Sequence, residues 1–381
     1  MKKNQRTINV ATVFSGIGAF EWALKRLNIP FNILFACDNG ERDIEYDNSL
    51  IEKVRNLDSI DEKQKYVLDL YNSKTRKTNF VKKSYLHNHK CPENRFFEDI
   101  KLLDGRDFYN QVDIFVGGSP CQSFSSVGFQ GGLEDARGTL FYEFARLVKE
   151  IQPKVFIYEN VRNLYNHDHG NTWTIIKRIF DSLGYEIKYD ILNASDFGIP
   201  QTRRRLFVVG YRKENVNMIW PPVQKRMTYD DMHLFLETYC AYGQFTYLKN
   251  GNIHINHLPG VIDEKYILTP KLYNYVMKGG TKTFYQKPEI NKRIARTLLK
   301  TMGNRHRAGV DNYVSFDGCS SIFGDVRMLT EREALRLMGF TDDFEIVVSK
   351  GQMYKQAGNS IVVDVLMSII KSIMDANLLE E

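Results

Sequence analysis

The chain has 381 residues, a formal net charge of +6 and 43% apolar residues, enough for one large or two moderate globular domains. Its five cysteines are scattered and form no CxxC pair, so the sequence indicates neither a zinc site nor a disulfide framework, as is typical of the reducing cytosol. Without a signal-peptide core or a run of about 18 uncharged apolar residues, we expect a cytoplasmic protein with no membrane partner.

The N-terminal stretch predicts the β-α-β unit that opens a doubly wound sheet. Its strand, helix and strand are expected at 8–14, 20–27 and 32–37. Gly16 and Gly18 lie in the turn after the first strand, and Glu21 stands where dinucleotide-binding turns have a third glycine. That replacement argues against a pyrophosphate ligand and a nicotinamide enzyme. The glycines would either form a plain tight turn or allow the backbone to approach a nucleoside closely. Asp38 is placed to accept hydrogen bonds from ribose hydroxyls.

A highly charged segment follows at 41–84, and its helical periodicity is weak and clearest at 66–71. We interpret it as a partly helical surface insertion to which the sequence assigns no role. A third strand is expected to end at Asp99 and Ile100. By itself, an aspartate at such a position is as often an ordinary turn residue as a ligand.

The apolar run at 112–116 predicts a buried strand that ends in a loop carrying Pro120 and Cys121. In open α/β sheets, ligands bind and chemistry occurs at the carboxyl ends of the strands. A lone cysteine is more often a small buried residue than a nucleophile. This one, however, follows a proline in a Gly/Ser loop, and a second apolar run at 155–157 leads to Glu159. A nucleophile and an acid at neighbouring strand ends predict a catalytic pair.

The next stretch predicts a lid and then alternating elements. The loop at 125–137 is rich in glycine, which suggests a mobile lid over the reactive centre. The expected elements after it are an amphipathic helix at 140–151, a strand at 155–159, a helix at 172–183 and strands at 185–193 and 206–210.

Three consecutive arginines at 203–205 precede the last of these strands. A run of this kind is more often a solvated turn than a site. Alternate residues of an extended segment nevertheless share one face, so Arg203 and Arg205 would point together and Arg204 away. Further on, the stretch 271–307 contains ten lysines and arginines against one acid, which is more charge than the net charge of the whole chain and suggests a phosphate-contacting surface.

The C-terminal part predicts two helix starts. Thr330 and Glu333 have the spacing of a capping box. Asn359 and Ser360 precede a largely apolar helix expected at 361–374 and could cap it.

Five ordered motifs together resemble the DNA cytosine-C5 methyltransferase family of bacterial modification enzymes: Phe14-Ser-Gly-Ile-Gly18, Pro120-Cys121-Gln122, Glu159-Asn-Val161, Gln201-Thr-Arg-Arg-Arg205 and Gly358-Asn-Ser360. The resemblance runs from about residue 10 to 365. It implies an α/β fold with a doubly wound, mostly parallel, Rossmann-like sheet and a smaller target-recognition domain inserted before the C-terminal elements. We expect the catalytic domain at 1–213 and 294–381 and the recognition domain at 214–293.

The resemblance also implies roles for single residues. Cys121 would attack the cytosine, Glu159 would bond its N3, and Arg203 and Arg205 would contact a phosphate and the base. The cofactor would be S-adenosyl-L-methionine, leaving as S-adenosyl-L-homocysteine, with no metal. Expected cofactor contacts are Phe14, Gly16, Ile17, Gly18, Asp38, Asn39, Asp99, Ile100, Pro120, Leu140, Asn359 and Ser360. Expected DNA contacts are Gln122, Ser125, Val127, Arg137 and Arg203. Asn39 departs from the aromatic residue that is frequent in the family.

The expected partner is double-stranded DNA, and the expected state is a monomer that works beside a cognate restriction endonuclease without a stable complex. Two alternatives remain at this point. One is C5 methylation of tRNA, although no cysteine here is followed by Phe-Thr as in that branch of the family. The other is a DNA-binding relative that has lost catalysis, although Cys121, Glu159 and the arginines are intact.

Overall fold

The computed structural model describes residues 6–119, 140–212, 216–223, 229–280, 285–315 and 325–380. Its main sheet has seven strands in the order β3-β2-β1-β4-β5-β7-β6. In chain order they are β1 (Ile8–Val13), β2 (Phe31–Cys37), β3 (Phe96–Phe97), β4 (Ile114–Gly117), β5 (Val155–Val161), β6 (Glu186–Asn193) and β7 (Arg204–Tyr211). Adjacent strands are parallel except that β7 is antiparallel to β5 and β6. The predicted mostly parallel α/β sheet is therefore confirmed.

Both faces of the sheet are covered, because successive residues of its strands are buried on opposite sides. In β5, Val155 and Ile157 belong to one hydrophobic cluster and Phe156 and Tyr158 to the other. The helices that pack on the two faces are α1 (Ala19–Arg26) and α11 (Val363–Asp375) on the first, and α5 (Leu140–Ile151) and α7 (Asn171–Ser182) on the second. Strands buried on both faces consist of continuous apolar runs, which made them recognisable in the sequence.

The predicted element positions agree with the structure except at several ends. Strand β1 stops at Val13 because Phe14 has φ +53° and leaves the extended conformation. The third strand has only two residues and ends before Asp99. Strands β5 and β7 are longer than predicted. Their pairing begins with Val155 opposite Tyr211 and continues to Val161 opposite Arg205.

The segment at 41–84 is more helical than its periodicity indicated. It forms α2 (Ser49–Arg55) and α3 (Ile60–Lys74) and runs into α4 (Phe80–Asn88). The Ser59 hydroxyl accepts from the backbone of Glu62 and so caps α3. Val54, Val67, Tyr71 and Leu102 form a small core of their own. The insertion is thus a packed layer at the β3 edge of the sheet.

The predicted recognition segment contains a two-stranded hairpin and a short helix within its described residues. These are β8 (Phe245–Tyr247), β9 (Ile253–Ile255) and α8 (Pro270–Val276). Its buried side chains, such as Phe235 and Phe245, lie in the same hydrophobic cluster as those of α1 and α11. The proposed boundaries at 214 and 293 remain a prediction.

The remaining elements are α6 (Asn163–Asn166), β10 (Tyr313–Ser315), β11 (Val326–Met328), α9 (Glu331–Arg336) and α10 (Lys350–Asn359). The capping box of Thr330 and Glu333 at α9 is confirmed. The predicted cap of the last helix is wrong: Asn359 ends α10, Ser360 is the residue after it, and α11 begins at Val363. Asn359 and Ser360 therefore lie in the turn between two helices.

A buried ion pair joins the first helix to the last. The Arg26 guanidinium donates to both carboxylate oxygens of Asp364 at 2.7 and 3.1 Å, and to the carbonyl oxygens of Gly251 and Gly339. Both side chains are almost fully buried. One arginine thereby connects α1, α11 and the β8–β9 hairpin.

One stretch of the described chain, at 350–375, is long and apolar enough to span a membrane by length and composition alone. Most of it is buried inside the protein, and it is divided into α10 and α11 by the turn at 360–362. Its composition is accordingly that of a core helix pair.

Candidate active site

The carboxyl ends of β4 and β5 lie against each other at the centre of the sheet. Gly118 directly follows β4, and a Cβ atom there would lie 2.9 Å from the carbonyl oxygen of Glu159 and 3.0 Å from its Oε2 atom. A side chain at position 118 would displace the carboxylate, so glycine is required for this close approach. The structure thus brings Glu159 next to the start of the predicted Pro120-Cys121 loop.

A buried amide fixes the geometry of these two strand ends. The Nδ2 atom of Asn160 donates to the carbonyl oxygen of Ser119 and to the hydroxyl of Tyr158, both at 2.8 Å. The Ser119 hydroxyl also bonds that of Tyr158 at 2.8 Å. Ser119 and Asn160 are 3% and 2% exposed, so water does not replace these bonds. Sequence reasoning quoted Asn160 within a motif but gave it no role.

Glu159 forms an ion pair with one of the predicted arginines. The Nε atom of Arg205 lies 3.3 Å from Oε1 of Glu159. Arg205 on β7 lies opposite Val161 on β5, and Val161 is two residues after Glu159. The side chains of Glu159 and Arg205 are therefore on the same face of the sheet. Burial raises the pKa of Glu159 above its ordinary value, against the opposing effect of Arg205 and Arg203. Glu159 is therefore suited to hold a proton and to donate it in a hydrogen bond.

The guanidinium of Arg203 has a different position from the one expected for a phosphate contact. It is 5% exposed and donates to the carbonyl oxygens of Leu298, Gly358 and Ser360. Burial and the charge of Arg205 lower the pKa of Arg203 to about 9. Its two terminal nitrogens hold the turn after α10 against the chain near residue 298. The structure gives the Arg203 guanidinium hydrogen bonds within the protein, whereas Arg205 is the one of the two arginines that forms an ion pair with Glu159.

The predicted nucleophile and several neighbouring predicted site residues lie outside the described residues. They are Pro120, Cys121, Gln122, Ser125, Val127, Arg137 and the rest of the predicted glycine loop. Leu140 is the first residue of α5, at the far side of that gap, and is partly buried. The described cysteines are Cys37, Cys91 and Cys240, each of which is a free thiol.

A second group of predicted residues lies at the carboxyl ends of β1 and β2. Phe14 is partly buried and has a left-handed backbone, φ +53°, an uncommon conformation for an aromatic residue that turns the chain sharply after β1. Gly16 has φ +54°, and a Cβ atom there would meet no protein atom within 4 Å. Open space beside a glycine backbone at this edge fits the close approach of a nucleoside.

Gly18 serves packing within the protein. A Cβ atom at Gly18 would lie 2.1 Å from Nε2 of His89, whose ring nitrogen bonds the carbonyl oxygen of Ile17 at 2.9 Å. Burial lowers the pKa of His89 to about 4, so the ring is neutral and donates to that oxygen. His89, which sequence reasoning did not single out, therefore supports the turn from below.

The carboxylate of Asp38 is held by two backbone amides. Its Oδ2 atom accepts from the Gly16 backbone at 3.0 Å and its Oδ1 atom accepts from the Gly40 backbone at 2.9 Å. A carboxylate offers about four acceptor positions, so each oxygen retains one for a pair of hydroxyls. Asn39 bonds the Asp43 carboxylate and the Glu41 backbone, and its side chain is engaged locally.

Asp99 is already held by the insertion. Its Oδ2 atom accepts from the hydroxyls of Tyr46 at 2.8 Å and Tyr71 at 2.9 Å, and its Oδ1 atom accepts from the Lys101 backbone at 2.8 Å. Asp99 remains partly exposed, and the adjacent Ile100 is buried. Tyr46 and Tyr71 were missed because nothing in the sequence connects them to a residue so far along the chain.

The turn after α10 is brought to the same edge. A Cβ atom at Gly358 would lie 2.3 Å from the backbone nitrogen of Lys300, so glycine permits this contact. Asn359 is exposed, whereas Ser360 is buried and accepts from Arg203 through its carbonyl oxygen. No group of three or more His, Cys, Asp or Glu side chains that could hold a metal occurs in the described ranges.

Comparison with known proteins places the chain in one family. The family model described as "C-5 cytosine-specific DNA methylase" matches residues 8–375. Type II methyltransferase M.SsoII of Shigella sonnei is 35% identical over 283 residues, which are 72% of this chain and 67% of that protein. Type II methyltransferase M.HhaI of Haemophilus parahaemolyticus is 35% identical over 275 residues, which are 68% of this chain and 75% of that protein.

Solved structures of low sequence identity share the fold. Dnmt2 methyltransferase of S. pombe superposes with a TM-score of 0.62 at 16% identity, covering 97% of this chain and 99% of that one. A putative DNA modification methyltransferase encoded in a prophage of E. coli gives a TM-score of 0.58 at 19% identity, covering 98% and 100%.

Proposed function

The chain belongs to the C-5 cytosine-specific DNA methylase family, and on this premise we propose that it methylates C5 of cytosine within one short sequence of double-stranded DNA. The observation that carries the proposal is the ion pair of Glu159, near the end of β5, with Arg205 on β7. This pair lies beside the residues that lead to Cys121. An acid with a raised pKa and an adjacent cation suit a polar heterocycle that must be protonated and oriented during attack.

Cytosine C5 is a poor nucleophile until the aromatic ring is broken by addition at C6. In the proposed reaction the thiolate of Cys121 forms a C–S bond to C6. The electrons of the C5–C6 double bond then form a C4–C5 double bond, and those of the C4–N3 double bond move onto N3. Glu159 donates its proton in a hydrogen bond to N3 and stabilises the charge that develops there. Arg205 holds Glu159 in place and faces the oxygen at C2.

When bound, S-adenosyl-L-methionine would supply the methyl group for C5 and would leave as S-adenosyl-L-homocysteine. The proton on C5 is then lost to a base that we do not assign. Elimination breaks the C–S bond, restores the C5–C6 double bond and frees Cys121 as the thiolate. Atoms and charges balance without a metal or an external redox partner.

The residues at the ends of β1 and β2 fit the nucleoside part of this cofactor. Gly16 leaves room for a close approach, Asp38 has two unused acceptor positions for the ribose hydroxyls, and Phe14 offers an aromatic face. Ser360 and Asn359 would close the site from the C-terminal side. Arg203 serves this site by holding the Ser360 turn rather than by meeting DNA.

A duplex hides the face of cytosine that Cys121 must reach, so the base has to be rotated out of the stack at a cost of a few kcal/mol. We propose that the DNA is contacted by the loop at 125–137 and by the basic stretch at 271–307. Within that stretch, Lys292 and Arg296 pair with Glu289, so part of its charge is neutralised internally. We further expect a monomeric cytoplasmic enzyme that works beside a cognate restriction endonuclease.

Bisulfite sequencing of a plasmid recovered from cells that express the protein tests the proposal. We expect cytosines protected in one short motif, and no protection with Cys121→Ala. Cys91→Ala is the matched control, because Cys91 is also a free thiol and belongs neither to β4 and β5 nor to the loop that carries Cys121. Protection that survives Cys121→Ala would contradict the assigned nucleophile. Absence of protected DNA, together with methyl incorporation into tRNA, would move the substrate to RNA.

A further inference from the structure

We propose that the helical insertion at 41–84 is part of the cofactor site, and that Tyr46 and Tyr71 position Asp99 so that it presents a single acceptor to the adenine amino group. This inference rests on the proposed function, since it takes Asp99 as the adenine-binding acid. It assigns a role to the segment that the family motifs leave out.

The contacts of Asp99 define which acceptor remains. Both hydroxyls donate to the same oxygen, Oδ2, and so fill both of its in-plane acceptor positions. The other oxygen, Oδ1, accepts from the Lys101 backbone and keeps one position. Three donors fix the plane of the Asp99 carboxylate. The one remaining acceptor position, on Oδ1, therefore has a fixed direction.

The two tyrosines are suited to act only as donors. Burial and the neighbouring Asp99 charge raise the pKa of Tyr46 and of Tyr71 well above the ordinary value. Both hydroxyls therefore keep their protons at every pH at which the enzyme works. Asp99 itself is only partly buried, so a ligand can reach the acceptor that remains.

The insertion is anchored firmly enough to hold these side chains still. Lys63 on α3 donates to the carboxylates of Asp104 and Asp107 at 2.8–2.9 Å. Gln64 on the same helix donates to the Phe96 carbonyl of β3 at 3.1 Å. Tyr71 is 2% exposed and lies in the small core of the insertion. Gln64 therefore ties α3 to the strand before Asp99, whereas Lys63 and the small core around Tyr71 tie it to the segment after Asp99.

A separate contact connects the insertion to the ribose acid. The Nδ2 atom of Asn79 donates to the backbone carbonyl of Asp38 and to Oε2 of Glu98, both at 2.8 Å. Arg42 pairs with the same Glu98 carboxylate at 3.1 Å. The insertion thus contacts the segments carrying both acids, Asp38 and Asp99. A surface appendage unrelated to the site would have no reason to converge on these two positions.

Calorimetric binding of two ligands separates positioning from general structural support. One ligand is S-adenosyl-L-homocysteine, and the other is its analogue with hydrogen in place of the adenine amino group. Tyr46→Phe and Tyr71→Phe should each weaken binding of the first about five- to tenfold, the scale of one hydrogen bond. Binding of the second should be unchanged, because it makes no bond to Asp99. The ratio of the two affinities, which measures the preference for the amino group, should therefore fall in both variants.

Tyr66→Phe is the matched control, because it removes a hydroxyl from the same helix and the same small cluster without removing a donor to Asp99. It should leave both affinities unchanged. Tyr46 is only partly buried, so Tyr46→Phe keeps the test valid even where Tyr71→Phe fails to fold. Asp99→Asn should reduce the preference for the amino group in the same manner.

Three outcomes would overturn the inference. Equal weakening of both ligands would show general structural support, and unchanged binding of both would show no role. Tighter binding of S-adenosyl-L-homocysteine by Tyr46→Phe would show that the hydroxyl competes with the ligand. Failure of the unaltered protein to bind either ligand would instead refute the proposed cofactor, and with it the proposed function.

Discussion

Replacing Asn160 should disturb catalysis without touching a reacting group. Its Nδ2 atom makes two bonds of 2.8 Å, to the Ser119 carbonyl and the Tyr158 hydroxyl, at a place that water does not reach. Asn160→Ala leaves the buried Ser119 carbonyl without that donor, which costs about 1–3 kcal/mol, and the second lost bond adds about 1 kcal/mol. We therefore expect a loss of about 2–4 kcal/mol in the free energy of unfolding.

The effect on methylation should be larger than the effect on cofactor binding. Ser119 lies two residues before Cys121, and a displacement of about 1 Å in a reacting group lowers a rate on the order of a hundredfold. Single-turnover methylation of a plasmid measures this rate, and urea unfolding measures the stability. Binding of S-adenosyl-L-homocysteine should remain near normal, because Asp38 and Gly16 lie on other strand ends.

Asn160→Asp gives the sharper comparison. It has the same shape as asparagine but places an acceptor opposite the Ser119 carbonyl, where asparagine supplies a donor. If the donor matters, the aspartate variant should be less stable and less active than the alanine variant. An aspartate variant with normal stability and normal methylation would refute the reasoning.

Three further changes test other parts of the structure. Glu159→Gln removes the carboxyl proton that would bond N3, so the single-turnover rate should fall about 10²–10⁴-fold. We expect the unaltered enzyme to lose activity as the pH rises through the raised pKa of Glu159, and we expect the pH–rate profile of the variant to lack that decline. Arg203→Met deprives three buried carbonyl oxygens of their donor and should lower the free energy of unfolding by about 3–5 kcal/mol, while the slope of DNA affinity against salt stays unchanged; a slope reduced by about one would restore the phosphate contact. His89 has its pKa lowered to about 4, so the unfolded chain binds more protons between about pH 6.5 and 4. Its contribution is present above that window and about 3 kcal/mol is lost as the pH falls through it; urea unfolding of His89→Gln at pH 7 and pH 4.5 should show a smaller difference than the unaltered protein, and an equal difference would contradict the assignment.

The sequence was most informative where local pattern and burial agree. The run Val155–Ile157 is apolar on both faces and lies in the middle of the sheet, so its strand and the position of Glu159 at the strand's end could be predicted. Thr330 and Glu333 interact over three residues, and the capping box follows from their spacing alone.

The parts that could not be predicted depend on long-range contacts. Tyr46 and Tyr71 bond an aspartate 53 and 28 residues away, within a segment of weak periodicity. Arg203 was expected to share a ligand with Arg205 because alternate residues share a face, but it precedes the strand, and three carbonyl oxygens from distant turns take up its guanidinium. Tertiary partners of this kind decide a side chain's role and leave no trace in its neighbours.

The buried ion pair of Arg26 and Asp364 constrains the order in which parts of the chain can fold during its synthesis. The two residues are separated by 338 positions, which a ribosome needs roughly 20–70 s to translate at 5–20 residues per second. Until Asp364 emerges, the guanidinium of α1 has no carboxylate with which to enter the core, and a buried charge without its partner is strongly unfavourable. The burial of Arg26 at the end of α1 is consequently completed only when the last helix is present. We therefore expect a nascent chain that ends before Asp364 to carry Glu159 but to lack the buried ion pair that joins α1 to α11.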